Sequence, residues 1–436
     1  MSVIYSGISG EELAQQSIIV RNPWNDEIIT EIAIDSRERV QQKLSAAWSF
    51  RPRLTREARR EVLSRARSLL GQRKLALARL ASTESGLSLQ DTLREVDSLG
   101  TQLDIASEAA LFSPVTVGSY SEASLSDAPQ VLSLRSALNG VIAVITSFNH
   151  PLSQVLDKVA LAIATNNRIV LKPSSKTPLC ARALHALLVE AGMPEQMFTL
   201  VNCSDSLFAD IAAHHHGVDR VSFSGSRAAA REIAFRVPSQ RLVMDLSSND
   251  ALIVCADTDL KAAAGVTARG AFSHSGQAHG AVKWVLVERR CHDEFVRHLV
   301  NEARQWRNGD PLDPQASIGT LIDAASAAEI EQRIAISLAL GATCVAGNQR
   351  QGASLSATVL TRVTPDMPVV TRETFGPVAP VMAFTDIDDA IELARNTRPG
   401  LNASLLTQDK ALLARYPRAP AYASRQTSAF HSPLPF

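Results

Sequence analysis

The residue types best suited to chemistry concentrate in one short segment, residues 272–281, which reads FSHSGQAHGA. An Ala-rich helical pattern ends there and small residues follow, so we predict a tight turn in which backbone amides crowd a reacting carbonyl. His279 lies inside this segment, and an imidazole at such a place can act as a base or as a weak nucleophile. The segment therefore indicates carbonyl chemistry.

Two series of alternating strands and helices must position this segment. Between residues 140 and 246, predicted strands alternate with helices of roughly 10 to 15 residues. The strands lie at residues 140–147, 168–172, 197–201, 220–223 and 241–246. A second alternation occupies residues 251–396. Strands that alternate with helices in this way form parallel sheets with both faces covered, so the predicted fold class is α/β.

The regions around these two series have other patterns. Residues 17–34 alternate apolar and polar side chains, which predicts a hairpin at the edge of a sheet. Residues 40–111 carry apolar side chains at helical spacing and predict a helical layer. Residues 131–135 look like one strand of a projecting ribbon, and from residue 414 the chain loses its periodicity and predicts a loop or disorder.

The composition excludes several classes of protein. Lys plus Arg equal Asp plus Glu at 44 each, so the net charge of zero offers no general attraction to nucleic acid or to an anionic membrane. No apolar run reaches the length of about 18 residues that would suggest a membrane span. The five cysteines are widely spaced and lack a C-x-x-C pair, which favours reduced thiols in the cytoplasm and no metal site.

Several stretches, in the same order, resemble the aldehyde dehydrogenase family. These are GVIAVITSFNHPL, NRIVLKPSSKTPL, DLSSNDALIV, SGQAHGAVKW and ETFGP, and the resemblance extends over roughly residues 17–410. Within the family, the chain is most similar to phosphonoacetaldehyde dehydrogenase and its relatives, which act on small anionic aldehydes. The expected cofactor is NAD or NADP, and the expected partner is a small-molecule aldehyde.

The resemblance also implies how the chain is divided. We expect the aldehyde dehydrogenase fold, with a Rossmann-like nucleotide-binding domain and a second α/β catalytic domain. The predicted limits are residues 1–116 and 140–246 for the first domain, 117–139 for an oligomerisation ribbon, 247–413 for the second domain and 414–436 for an irregular tail. The family's C-terminal segment, which helps to close the substrate tunnel and the dimer, has no visible counterpart, so a homodimer or tetramer is expected to be weakened.

Five residues take roles around the reacting carbonyl through the resemblance. Asn149 matches an amide that stabilises the oxyanion, a kind of donor typically worth about 3 kcal/mol. Asp245 matches the carboxylate that activates the hydrolytic water, and His279 stands where the family has its nucleophilic cysteine. His150 matches a position suited to an anionic substrate, whereas Ala278 replaces an arginine common in phosphonoacetaldehyde-type members. The alternative for Asn149 and His150 is a simple turn before the following proline.

The implied cofactor site is larger. Its residues are Ser147, Phe148, Lys172, Ser174, Ser175, Phe223, Gly225, Ser226, Leu246, Glu373 and Phe375. Ser175 stands where the family often has a Glu that contacts the ribose hydroxyl, so we expect NADP to be tolerated alongside NAD. Ser247 and Ser248 replace two glycines of the family's E-L-G-G segment, which puts any close backbone approach there in question. The alternative for Glu373 and Phe375 is a plain turn between a helix and a strand.

The missing thiol leaves three functions open. The first is NAD(P)-dependent oxidation of a small aldehyde, including anionic ones such as phosphonoacetaldehyde, to the carboxylate. We expect this activity to be impaired, because loss of a dedicated nucleophile commonly costs about 10⁶ in rate. The second is non-oxidative hydrolysis in which Asp245 and His279 act together as a base. The third is a catalytically silent subunit that binds the cofactor for stability alone.

Overall fold

The computed structural model describes residues 17–51, 53–111, 116–120, 130–134, 140–396 and 404–415. The strands are β1 (Ser17–Arg21), β2 (Ile28–Ala33), β3 (Thr116–Tyr120), β4 (Gln130–Leu134), β5 (Val141–Ile145), β6 (Arg168–Lys172), β7 (Phe198–Leu200), β8 (Val218–Gly225), β9 (Leu242–Leu246), β10 (Ala251–Val254), β11 (Trp284–Glu288), β12 (Thr343–Ala346), β13 (Arg350–Gln351), β14 (Ser354–Leu355), β15 (Thr358–Thr361), β16 (Val378–Phe384) and β17 (Ser404–Leu406). The helices are α1 (Arg37–Ser49), α2 (Arg56–Gln72), α3 (Lys74–Ser85), α4 (Leu89–Leu111), α5 (Ser153–Ala164), α6 (Pro178–Glu190), α7 (Asp205–His214), α8 (Arg227–Ala234), α9 (Leu260–Phe272), α10 (His292–Ala303), α11 (Ala324–Ala339), α12 (Pro368–Thr371), α13 (Ile387–Asn396) and α14 (Lys410–Arg415).

The first large sheet is parallel and has the order β7-β6-β5-β8-β9. Strands β5 and β6 are covered on both faces, which explains why each is an almost unbroken apolar run in the sequence. The chain starts at β5 and builds outward in both directions, so the connections after β5 and β8 diverge at the carboxyl edge. Such a switch point leaves a crevice in which doubly wound sheets bind their ligands. The Rossmann-like prediction is confirmed.

The second large sheet has the order β12-β15-β16-β11-β10-β17. Strand β12 pairs antiparallel with β15, and the other pairs in this sheet are parallel. Helices α9 and α10 pack on one face, with Phe272 and Phe295 fully buried there. Helices α11 and α13 contribute to the apolar cluster on the other face, through Ile334 and Ala390. These two layered sheets confirm the predicted α/β class.

Helices α2, α4, α5 and α6 form a layer against the first sheet. The N-cap residues of α5 and α6 make no side-chain capping hydrogen bond. Two buried carboxylates from neighbouring helices replace them. Glu95 of α4 accepts the amides of Leu152 (3.0 Å) and Ser153 (2.8 Å), and Glu84 of α3 accepts two amides at the start of α6. The helix layer therefore fixes where α5 begins, directly after the predicted oxyanion residue.

Some parts of the structure differ from the predictions. The hairpin β1-β2 forms a two-stranded sheet of its own, so its predicted place at the edge of a larger sheet was wrong. Alternation of apolar and polar residues indicates one covered face, and here buried Val20 and Ile32 supply that face without pairing to a larger sheet. Elements such as β13, β14 and α12 are too short to leave a periodic pattern in the sequence.

The predicted ribbon and tail fall partly outside the described residues. Strands β3 and β4 pair antiparallel, in agreement with a two-stranded ribbon. Residues 121–129 and 135–139 of that ribbon, and residues 416–436 of the predicted tail, lie outside the described residues. The domain limits given above remain predictions.

Candidate active site

The predicted turn after α9 is sharply folded. His274, Ser275 and Gly276 all have positive φ, at 54°, 53° and 70°. A Cβ at Gly276 would lie 2.0 Å from the carbonyl oxygen of Gly376, so only glycine fits there. The ammonium of Lys283 donates a hydrogen bond of 2.9 Å to the carbonyl of Gly276. The turn therefore packs directly against the segment that contains Phe375. The buried ammonium of Lys283 stabilises the turn by its hydrogen bond to Gly276.

The side-chain amide of Asn149 has a fixed orientation. The hydroxyl of Ser147 donates to Asn149 Oδ1 over 2.6 Å. Asn149 Nδ2 lies 3.0 Å from Nδ1 of His150, to which it donates when that nitrogen is unprotonated. These two bonds leave the second hydrogen of the amide as a donor. This is the arrangement that an oxyanion site needs, since the donor is positioned before a substrate arrives.

His150 and His274 are neighbours on one side of the site, with ring centroids 4.5 Å apart. Burial lowers the pKa of His150 well below its usual value, and the neighbouring rings of His274 and His279 add to this. Burial also lowers the pKa of His274 to about 4. Both rings are therefore neutral near pH 7. In that state His150 offers an anionic substrate hydrogen bonds but no charge.

Asp245 and His279 lie close together in the structure. Nδ1 of His279 is 3.7 Å from Oδ1 of Asp245. Gln154 Nε2 donates to the other oxygen of Asp245 over 3.4 Å. Burial by itself would raise the pKa of Asp245, but hydrogen bonding and charge from His279, with help from Lys158 and Gln154, hold it below its ordinary value. Asp245 is therefore a carboxylate that can orient the imidazole.

The two serines after Asp245 make new contacts. Ser247 donates to Oε2 of Glu373 over 2.5 Å, and Ser248 donates to the backbone carbonyl of His279. Neither serine has a positive φ, so the backbone here does not need glycine. Serine therefore fits the backbone at both positions without strain.

Phe375 lies at the centre of the site. Its ring centroid is 6.1 Å from that of Phe148 in an edge-on arrangement, and 6.2 Å from that of His279. Nζ of Lys283 lies 4.6 Å from the same centroid, a cation–π contact. Burial lowers the pKa of Lys283 to about 8. Residues from both sheets therefore converge on one aromatic ring.

Comparison of the chain with known proteins shows which family it belongs to. The model of the aldehyde dehydrogenase family matches residues 10–421. The chain belongs to the aldehyde dehydrogenase family. A 3-sulfolactaldehyde dehydrogenase of Priestia aryabhattai is 29% identical over 404 residues, which cover 92% of this chain and 84% of the relative. A lactaldehyde dehydrogenase of Methanococcus aeolicus is 29% identical over 409 residues, which cover 92% of this chain and 86% of the relative.

Solved structures agree with this assignment. The crystal structure of an NAD-dependent aldehyde dehydrogenase from Sinorhizobium meliloti matches with a TM-score of 0.87 and 26% identity, covering 95% of this chain and 84% of that one. A structure of 3,6-anhydro-L-galactose dehydrogenase in complex with NAP matches with a TM-score of 0.88 and 28% identity, covering 96% of this chain and 90% of that one. Of the helices in the described ranges, none is long and apolar enough to cross a membrane. The same ranges contain no cluster of three or more His, Cys, Asp or Glu side chains that could hold a metal ion.

The residues at the carboxyl edge of the first sheet fit the family's dinucleotide. Ser226 caps α8 by accepting the amide of Ala229 over 3.3 Å, and Gly225 precedes it, so a helix N-terminus opens onto the crevice. Oε1 of Glu373 is buried and has no hydrogen-bond partner among the described residues. A buried carboxylate oxygen of this kind suits a ribose hydroxyl. Lys172 and Phe223 flank Ile145 in one row across the sheet.

The remaining predicted site residues have simpler surroundings. Ser174 accepts the amide of Lys176 over 3.2 Å, and Ser175 is exposed. Leu246 pairs with Gly225 across β9 and β8. Ala278 is half-buried beside His279. The roles of these residues in binding remain predictions.

The five cysteines of the chain are largely enclosed. Cys180, Cys203, Cys255 and Cys291 are buried and Cys344 is half-buried. Burial raises the pKa of every one of these thiols, to about 12 for Cys203 and Cys255. A nucleophilic cysteine needs a thiolate, so these thiols are poorly suited to act as nucleophiles.

Sequence reasoning missed two acidic residues behind the site. Asp91 of α4 is fully buried and accepts the backbone amide of His274 over 3.1 Å and the hydroxyl of Ser88 over 2.8 Å. Glu95, one turn later, holds the start of α5. Both lie on the buried face of α4, with Thr92 and other core residues. A sequence signal for them existed. The two carboxylates lie four residues apart within the apolar stripe of a predicted helix, which indicates that they are buried.

Proposed function

We propose that this aldehyde dehydrogenase family member binds NAD(P) and a small aldehyde at the site around His279, and that it oxidises the aldehyde poorly. The observation that carries the proposal is the position of His279. It lies beside Asp245 and 6.2 Å from the ring centroid of Phe375, while four of the five thiols are buried and that of Cys344 is half-buried. NAD(P), when bound, supplies the hydride acceptor. The remaining parts of the site, above all the oriented amide of Asn149, are those that aldehyde oxidation uses.

The substrate class is inferred from the site and from the relatives. Two relatives are named for lactaldehyde and 3-sulfolactaldehyde, and the second of these carries a sulfonate. We extend the proposal to small aldehydes with a polar or anionic tail, of which phosphonoacetaldehyde is the model compound. Because His150 and His274 are neutral, the tail would be held by hydrogen bonds and not by a positive charge.

The decisive experiment restores the thiol. NAD(P)H formation would be followed with lactaldehyde, 3-sulfolactaldehyde and phosphonoacetaldehyde for wild type, His279→Cys and His279→Ala. We expect His279→Cys to exceed wild type by at least about 10³ in kcat/KM, since a dedicated nucleophile is commonly worth more than that. Equal rates for wild type and His279→Cys would contradict the proposed impairment. The absence of oxidation in all three, with cofactor binding intact, would favour a silent binding subunit.

The pair of Asp245 and His279 supports a second candidate, hydrolysis of a small ester without cofactor. With Nδ1 of His279 held toward Asp245, the other ring nitrogen can take a proton from water as the water attacks the ester carbonyl. Asn149 would donate to the oxyanion, and the proton would pass to the departing alkoxide. Turnover of para-nitrophenyl acetate tests this. Loss of turnover in both Asp245→Asn and His279→Ala supports it, and turnover that survives both substitutions contradicts it.

A further inference from the structure

An ion pair lies at the carboxyl edge of the first sheet. Nζ of Lys172 is 2.5 Å from Oδ1 of Asp205. Lys172 ends β6, whereas Asp205 begins α7, the helix that follows β7, and β7 is the neighbour of β6. The lysine side chain is only 5% exposed, but that of Asp205 is 44% exposed. The carboxylate is therefore the part of this pair that a ligand at the edge would meet.

This edge is where a doubly wound sheet recognises the adenosine ribose. In such sheets an acidic residue at the end of the second strand accepts the 2′-hydroxyl of NAD, and a basic residue accommodates the 2′-phosphate of NADP. The second strand here is β6, because the unit begins at β5. The residues after it, Ser174 and Ser175, carry no charge. Lys172 and Asp205 are thus the charged pair in place to decide which cofactor is preferred.

We propose that Asp205 makes this protein select NAD over NADP. Its exposed carboxylate can accept a hydrogen bond from the 2′-hydroxyl and repels a 2′-phosphate. It also neutralises Lys172, a cation at this edge to which a phosphate would otherwise be drawn. The acidic group that the sequence lacks at Ser175 is supplied from the next strand-to-helix connection. This inference rests on cofactor binding in the proposed function and names the residue that specifies the cofactor.

The size of the effect can be bounded. Repulsion between a carboxylate and a phosphate a few ångströms apart in water weakens binding by a factor on the order of ten. Because the carboxylate is partly exposed, salt screens the repulsion, so the preference should shrink at higher ionic strength. A preference based on shape alone would not respond to salt.

The test is direct binding, which needs no catalysis. Dissociation constants for NAD and NADP would be measured by calorimetry on wild type, Asp205→Asn, Asp205→Glu and Asp210→Asn, at low and high salt. Asp210 is the matched control, since it lies on the same helix and pairs with Arg37. We expect wild type to bind NAD about tenfold more tightly, Asp205→Asn to lose most of this preference, and Asp205→Glu and Asp210→Asn to keep it. Thermal midpoints check that each variant is folded.

Two results would overturn the inference alone. One is NADP binding to wild type as tightly as NAD. The other is an Asp205→Asn variant, shown to be folded, with an unchanged preference. If wild type binds neither cofactor, both this inference and the cofactor-binding part of the proposed function are wrong. If it binds NAD tightly but His279→Cys still fails to oxidise any aldehyde, only the proposed oxidation fails.

Discussion

Gly276 shapes the turn that carries the candidate active site. Its φ of 70° is unfavourable for other residues, and a Cβ would collide with the carbonyl of Gly376 at 2.0 Å. Gly352 is a matched control, because its φ is 59° and a Cβ there would meet nothing within 4 Å. We expect Gly352→Ala to cost about 1 kcal/mol of unfolding free energy from the backbone conformation alone. Gly276→Ala should cost at least twice as much in urea titrations, because it adds the collision, and equal costs would contradict the close packing of the turn on Gly376.

Lys283 is a second residue whose effect can be isolated. Its pKa falls from 10.5 to about 8 in the folded protein because the side chain is buried. Between these values the unfolded chain binds more protons than the folded one, so the free energy of unfolding rises with pH. Wild type should therefore gain on the order of 3 kcal/mol relative to Lys283→Met between pH 8 and 10.5. The control is Lys74→Met, which removes a surface ion pair. If the free energy of unfolding varied with pH in the same way for wild type, Lys283→Met and Lys74→Met, the lowered pKa of Lys283 would be refuted.

Helix α4 is the element that holds the two sides of the site. Asp91 holds His274 of the turn after α9, while Glu95 holds the first amides of α5, next to Asn149. The two carboxylates are one helical turn apart, so a single rigid element sets the spacing between the oxyanion amide and the turn that leads to His279. A rigid support of this kind is what a preorganised site requires.

The pH dependence of stability tests this support. Burial raises the pKa of Glu95 from 4.5 to about 7. Between these values the folded protein binds the extra proton, so the contribution of Glu95 to the free energy of unfolding falls as pH rises and is constant above about pH 7. Relative to Glu95→Gln, wild type should thus lose on the order of 3 kcal/mol between pH 4.5 and 7. Asp104→Asn, at an exposed ion pair of the same helix, should show no such trend, and a flat difference for Glu95→Gln would contradict the role of its carboxyl.

Long elements were predictable from the sequence, and contacts between elements were not. Strand β6 matches its predicted limits because its apolar pattern is unbroken, and helix α4 lies in the predicted helical layer, whose apolar pattern is long. The polar residues behind the site were missed for a physical reason. Asp91 and Glu95 act on backbone amides that lie far away along the chain, at His274 and Leu152. Carboxylates within the apolar stripe of α4 signal burial, but no local pattern shows which amides they bind, and only the fold brings the partners together.

At the scale of the whole molecule, the site lies between the two large sheets. A cofactor that binds there should stabilise the folded protein. A ligand that binds only the folded protein stabilises it by about 2.7 kcal/mol at a hundred times its dissociation constant. We expect NAD to stabilise wild type and His279→Cys equally in urea unfolding, because His279 lies at the reacting end of the site and not in the crevice of the first sheet. Stabilisation of His279→Cys alone would show that the histidine blocks cofactor binding.

Four of the five native thiols are buried and the fifth is half-buried, which has a practical consequence for labelling. In the His279→Cys variant, the introduced side chain would be the one sulfhydryl at the site that a reagent such as a maleimide or an iodoacetamide fluorophore could reach quickly. The native protein would serve as its own blank. The fraction of molecules that take up the dye would count assembled sites directly, and protection by added aldehyde would report occupancy without any turnover.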